Sequence, residues 1–451
     1  MESPFIKRRR LVAGLVASML VVGACSNGGA ATSAPAESAP APTEAGGESA
    51  APTEAGGEIG GSVSVIGTWG GAEQDAFLAM VKPFEDATGI KVEYTGTRDL
   101  NAVLTTGVAS GILPDLAGLP GPGQMREFAT RGALKPLEDV LDIEAYKSET
   151  SPGFVELGTV DGQVVGVFIK AAVKGLIWYN PNVYTGGVPT SWDDLWTKAG
   201  AAATGDTKPW CVGLESGPAS GWPGTDWIED LVIRQSGPDV YDAWVAGTQK
   251  WSSPEIKAAF EAFGQVVSDA NTHGGSNYVL NTGFGSGANP MFADPPGCLF
   301  HHQASFITSF FQDEGGATEG DYDFFPMPDI NPSFTGAATG AGDLFGMFND
   351  TPQARALMAY LVTADAQAIW VGIGGALSGN KNVTNYPDDV SARSAEILAN
   401  ATVFRFDGSD LMPEAMNSAF WSAMLEFTQD QSKLDAILAN LDSVQETAYA
   451  E

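Results

Sequence analysis

Side chains that do covalent or metal chemistry are scarce in this 451-residue chain: three cysteines (Cys25, Cys211, Cys298) and three histidines (His273, His301, His302). His301 and His302 are adjacent, so on a strand they point to opposite faces, and no HExxH spacing accompanies them. The Walker loop, the GxSxG elbow and the GxGxxG fingerprint are all missing from the sequence. Carboxylates are abundant, with 55 Asp+Glu against 23 Lys+Arg. Glycoside hydrolysis needs two of them at a set separation, but no pair stands in a recognisable acid/base setting. The remaining chemistry is non-covalent: planar groups that hydrogen-bond in pairs, and the faces of eleven tryptophans. No metal or cofactor is expected.

The formal charge of −32 repels phosphate backbones, which argues against nucleic acid as a partner. A hydrophobic content of 44% fits a packed body, and the length calls for two or three lobes. High glycine (55) with few charged residues (17%) implies many tight turns.

Residues 1–24 read as a leader. Lys7-Arg8-Arg9-Arg10 is a basic start, Leu11–Val22 is a short apolar run, and Val22-Gly23-Ala24-Cys25 closes it. The run is too short for a stable span. It looks like a bacterial lipobox, in which Cys25 is diacylated and becomes the mature N-terminus; two chains anchor stably where one would be marginal. The adjacent arginines leave the general and twin-arginine export routes both open.

Residues 25–61 are dominated by Ala, Pro, Ser, Thr, Gly and Glu, and Ala41–Glu48 recurs as Ala51–Glu58. Such a stretch cannot bury enough apolar area to offset the entropy of ordering. It reads as a disordered tether reaching roughly 30–36 Å. In an oxidising compartment Cys211 and Cys298 form either a disulfide or two buried free thiols.

Beyond the tether, strand and helix alternate. Ser62–Gly67 reads as a strand, Glu73–Thr88 as a helix carrying Phe77, Met80, Val81 and Phe84 on one face, and Ile90–Tyr94 as a second strand. A helix follows over Leu100–Ser110, then a short strand after Asp115. This is the rhythm of a parallel sheet, whose ligands sit at the carboxyl ends of the strands. It places Trp69, Gly71, Glu73, Arg98, Asp99 and Asp115 on one rim. Further strands are expected at Val164–Ile169, Val173–Tyr179, Val212–Leu214, Leu299–Ser305 and Gly340–Phe348. Trp222 falls in a Gly/Pro loop, with Thr225 or Asp226 capping the next helix. The last third reads as helical over Thr351–Val371, Asp410–Gln429 and Ser432–Glu446.

In this order the chain carries Pro83-Phe84-Glu85 with Thr88-Gly89-Ile90-Lys91-Val92, Pro114-Asp115, Trp178-Tyr179-Asn180, Thr190–Leu195, Gly374-Gly375 with Ser378, and Met412-Pro413 with Ser418–Trp421. It thereby resembles the extracellular solute-binding proteins of bacterial carbohydrate ABC importers, the maltose-binding-protein-like branch. Gly221–Trp227, His302–Phe306 and Gly342–Phe345 resemble its α-glucoside-binding type. The resemblance implies an α/β protein of two discontinuous lobes, about 62–170 plus 340–375 and 171–339 plus 376–451, joined by crossing strands around a ligand cleft. It also implies a monomer on the extracytoplasmic face of the cell membrane, touching that membrane only through the lipid on Cys25. The protein would capture an oligosaccharide, an α-glucoside disaccharide, and deliver it to permease subunits.

A pyranose offers hydroxyls in its ring plane and an apolar C–H face. The rim would meet the first with Glu73, Arg98, Asp99, Asp115, Lys174, Asp226, Gln303 and Asp343, and the second with Trp69, Trp222, Trp227 and Trp421. Each has a plainer use: Trp69 and Trp227 in a core, Asp99 as a helix cap, Asp115 in a turn, Lys174 at a solvated strand end. Trp421 lies on the flank of the Met416–Phe420–Met424–Phe427 stripe, about 100° from it. The competing readings are a binder of a non-sugar solute such as a polyamine, which the acidic body would suit, and a secreted glycoside hydrolase.

Overall fold

The computed structural model describes residues 60–401 and 403–450. Cys25, the leader and the tether before residue 60 lie outside them. Strand β1 (Ser62–Gly67) buries Val63 and Val65, as its alternation requires. The Ala72–Thr88 helix follows, with Phe77, Met80, Val81 and Phe84 facing inward, and left-handed Gly89 ends it. With β2 (Lys91–Gly96), the Leu100–Ser110 helix and β3 (Leu116–Leu119), it completes a unit of three parallel strands.

A small pair, β4 (Thr159–Val160) and β5 (Gln163–Val164), precedes β6 (Gly166–Val173), which is buried along its whole length. Next come β7 (Leu176–Tyr179), β8 (Lys208–Cys211), β9 (Cys298–Gln303) and β10 (Asp323–Pro326). The last two strands are β11 (Ala337–Met347) and β12 (Val403–Phe406). One sheet has the order β12-β11-β3-β1-β2, with β6 also paired antiparallel to β11. The other has the order β10-β7-β9-β8.

The protein is therefore α/β with two lobes, one round each sheet. The chain leaves the first sheet at Lys174–Gly175 and returns to it between Pro326 and Ala337. Leu377 exchanges backbone hydrogen bonds with Ala171, and β12 pairs with the start of β11, so this stretch is tied to the first sheet. Cys211 and Cys298 form a disulfide between β8 and β9, 87 residues apart in sequence.

Several elements differ from the sequence reading. Residues 212–214 are not a strand; β8 lies just before them, at Lys208–Cys211. The helix after the Gly/Pro loop begins at Trp222, because left-handed Gly221 turns the chain into it and Pro223 suits its first turn. The expected Thr351–Val371 helix is two, Pro352–Leu361 and Ala364–Ile373, bent by 64°. The expected Asp410–Gln429 helix is broken before Glu414, since Pro413 cannot continue a helix. No single helix among the described residues is long and apolar enough to cross a membrane.

Candidate functional site

Where the two sheets meet, a cleft of about 440 Å³ opens, lined from both sides. That lies within the ~300–1,000 Å³ usual for small-molecule sites. Its floor is the pair β6 and β11. Residues two apart on a strand share a face, so Lys170 and Ala172 of β6, and Lys174 just past its end, all reach the cleft beside Ala341, Gly342 and Asp343 of β11.

Each lysine anchors an ionic group. Lys170 pairs with Glu73, from the first turn of the Ala72–Thr88 helix, and lies 3.6 Å from Asp343. Its ammonium is 5.0 Å from the ring centre of Trp370 and 5.3 Å from that of Phe306. Burial works against that charge, but Glu73 and Asp343 outweigh it and raise the Lys170 pKa. Lys174 lies 2.7 Å from Asp226 and also pairs with Asp407. Burial again opposes the ammonium; Asp226, Asp407 and Glu229 hold it well above its ordinary value. Asp226, Glu229 and Asp407 are a carboxylate set close enough for a cation, and the Lys174 ammonium already fills that role. Glu229 accepts from the backbone N–H groups of Gly408 (3.0 Å) and Ser409 (3.1 Å), fixing the short Gly408–Leu411 helix at the rim.

The aromatic wall comes from the second lobe. Trp222, at the start of its helix, packs edge-on to Phe284 with ring centres 5.1 Å apart, and Phe306 lies 6.1 Å away. The Arg98 guanidinium, reaching from the first lobe, lies 4.8 Å from the centre of Phe284. Trp421 stands on the same helix as Glu414, Asn417 and Ser418, all lining the cleft. Burial and the charge of Glu127 raise the Glu414 pKa to about 7. Burial and Asp407 push Asp410 well up.

Four buried polar atoms of cleft-lining residues have no hydrogen-bond partner among the described residues: Gln124 Oε1, Asp226 Oδ2, Asn417 Oδ1 and Trp421 Nε1. Three acceptors and one donor left open together are the complement of hydroxyl groups, which both give and take.

Of the expected rim, Trp69, Glu73, Arg98, Asp99, Lys174, Trp222, Asp226, Asp343 and Trp421 line the cleft. Trp69 does so from within a packed aromatic group with Phe77, Tyr94, Phe345 and Trp370. The other four are placed elsewhere. Asp115 precedes β3, so it sits at the sheet's amino edge; its carboxylate accepts from Ser64 N and Oγ, both at 2.9 Å, and Pro120 marks the strand's cleft end. Trp227 turns into the core against Trp210 and His302, with ring centres 5.0 and 4.2 Å away. Gln303 is buried and folds back, accepting from Ala304 N. Gly71 caps the Ala72–Thr88 helix with φ 55° and does not line the cleft.

The sequence reading missed Lys170, Phe284, Phe306, Asp407, Asp410, Glu414 and Asn417. Lys170 was within reach of the two-residue period from Lys174, and Glu414 and Asn417 of the helical period back from Trp421. Phe284 and Asp407 carried no local signal.

Residues 79–400 match the family of bacterial extracellular solute-binding proteins, and the chain belongs to that family. Its place is extracytoplasmic, as the substrate-binding component of an ABC importer. It is 37% identical over 372 residues to the osmoprotective compounds-binding protein GgtB of Synechocystis sp., covering 81% of this chain and 88% of that one. It is 35% identical over 391 residues to the alpha-glucosides-binding periplasmic protein AglE of Rhizobium meliloti, covering 83% and 85%. The fold is also that of a chitin oligosaccharide binding protein, with a TM-score of 0.76, 19% identity, and coverage of 86% of this chain and 99% of that one.

Proposed function

We propose that the protein binds a neutral oligosaccharide, an α-glucoside disaccharide such as maltose, trehalose or sucrose, between its lobes and hands it to a membrane permease. The observation that carries this reading is the cleft's division of labour. Both lysines are neutralised by carboxylates from the protein itself, while two indoles and four unpartnered polar atoms remain for the ligand. A ligand touching both lobes favours their closed arrangement by its differential affinity. The name of the similar alpha-glucosides-binding protein AglE points the same way. The lobes divide near residues 170 and 340, and the monomer is held at the membrane by lipid on Cys25.

A second reading rests on the carboxyl groups of the lining, whose ionised form a bound polycation would favour. Asp99, Asp410 and Glu414 add carboxylates to the cleft beyond those in the two lysine groups, which would suit a polyamine.

A thermal-shift panel of maltose, trehalose, sucrose and spermidine separates the two. A glucoside at a hundred times its Kd adds about 2.7 kcal/mol of stability and changes tryptophan fluorescence. A response to spermidine with none to any glucoside would overturn the sugar reading. Trp421→Ala should weaken glucoside binding about tenfold or more, by about 1.4 kcal/mol or more. Sustained release of nitrophenol from nitrophenyl glucosides would show an enzyme instead. Loss of acyl labelling in Cys25→Ser tests the anchor.

A further inference from the structure

Behind the cleft lies a second cavity of about 630 Å³. Adjacent residues divide between the two: Gln124, Asp410 and Glu414 line the cleft, whereas Gly123, Leu411 and Pro413 line the cavity. Its walls come from the Pro122–Thr130 helix on one side and the Pro238–Val245 helix, Arg405 and Tyr449 on the other.

Three arginines face it, Arg126, Arg131 and Arg405, in a chain with only 23 basic residues and a charge of −32. Its two carboxylates are already engaged. Asp242 holds Arg405 through both oxygens, and Glu127 lies 3.6 Å from Arg131 and accepts from Glu414 N at 2.8 Å. The hydroxyls of Tyr241 and Tyr449 are spent on the carbonyls of Phe406 and Val245. The guanidinium of half-buried Arg126 has no hydrogen bond or ion pair among the described residues. Glu156, the one charge that bears on it, does not line the cavity. A partly buried guanidinium without an acceptor is the complement of a bidentate oxyanion.

We propose that this cavity is a second binding site, separate from the sugar cleft, for a small oxyanion held by the fork of Arg126. Leu157, Val245, Leu411 and Pro413 add apolar wall beside it, and lowering the local dielectric strengthens a charge-assisted contact.

The test titrates inorganic phosphate and, separately, citrate into the full-length protein by calorimetry at fixed ionic strength, with no sugar present. Saturable binding is expected for at least one of them. A response to phosphate assigns a phosphate ligand, and a response to citrate a carboxylate. Arg126→Gln should weaken it about ten- to a hundredfold, the range for hydrogen bonds to a charged group. Arg126→Lys keeps the charge but loses the fork, and should weaken it several-fold. No saturable binding of either anion, or equal binding by wild type and both variants, would overturn the proposal. Neither result depends on which sugar the cleft takes.

Discussion

Lys174 is buried against Asp226 and Asp407, with Glu229 close by, so its ammonium is the cation that lets this acidic cluster exist. Removing one partner of a buried ion pair leaves the others uncompensated, at about 3–5 kcal/mol. Lys174→Met should therefore lower the stability by about that amount in urea unfolding; a change within about 0.5 kcal/mol would show the cluster protonates at little cost. Glu414 provides a second, pH-dependent test. Its pKa is raised from 4.5 to about 7 in the fold. Between those values the native state keeps a proton that the unfolded chain has lost, so this residue makes stability fall as pH rises through that window. Glu414→Gln should flatten that part of the profile relative to wild type, as followed by urea midpoints from pH 4 to 8. Which carboxylates line the cleft was partly legible beforehand: Glu73 and Asp99 lie just after strands, where a parallel sheet presents its ligands. Asp115 was misplaced because the residue before a strand and the residue after it lie at opposite edges of the sheet.

At the scale of elements, the turn at Gly221 sets the cleft's aromatic wall. Its φ of 110° belongs to glycine, and a Cβ there would run into the backbone carbonyl of Trp421. Gly221→Ala should cost at least about 1–3 kcal/mol through strain. It should also reduce ligand affinity, because Trp222 and Trp421 move apart; unaltered stability and affinity would mean the turn is adaptable. The strands with strong alternation or apolar runs, and the helices with clear stripes, were readable along the chain. Break points were harder. The bend between Leu361 and Ala364 falls where Thr363 caps the second helix, its Oγ1 accepting from Ala366 N, a local signal that apolar periodicity on either side passes over. Trp227 shows the same limit: its helix is buried on nearly every side, which leaves no polar face to orient it.

For the whole molecule, the Cys211–Cys298 link closes a separation of 87 residues and joins two strands of the second sheet. The loop-entropy model assigns such a closure about 4–5 kcal/mol. The double variant Cys211→Ser, Cys298→Ser should lose stability of that order in denaturant unfolding, with the second lobe affected first. A loss below about 1 kcal/mol would show that packing around β8 and β9 already confines the unfolded chain. The cleft itself exists only at this scale, since its floor is two strands some 170 residues apart in register, Lys170 opposite Asp343.

Composition, the leader pattern and the alternation of strand and helix as far as β3 were determined by the sequence alone, because each depends on residues near one another along the chain. Net charge by itself argued against polyanionic partners, and the presence of tryptophan and carboxylate near strand ends was readable in the same way. Only the tertiary structure decided which of those residues meet. It brought Asp407 to Lys174 across 233 positions and Phe284 under Arg98, and it turned Trp227 inward. Such pairings follow from how two sheets pack across their crossing strands, and no local spacing encodes that.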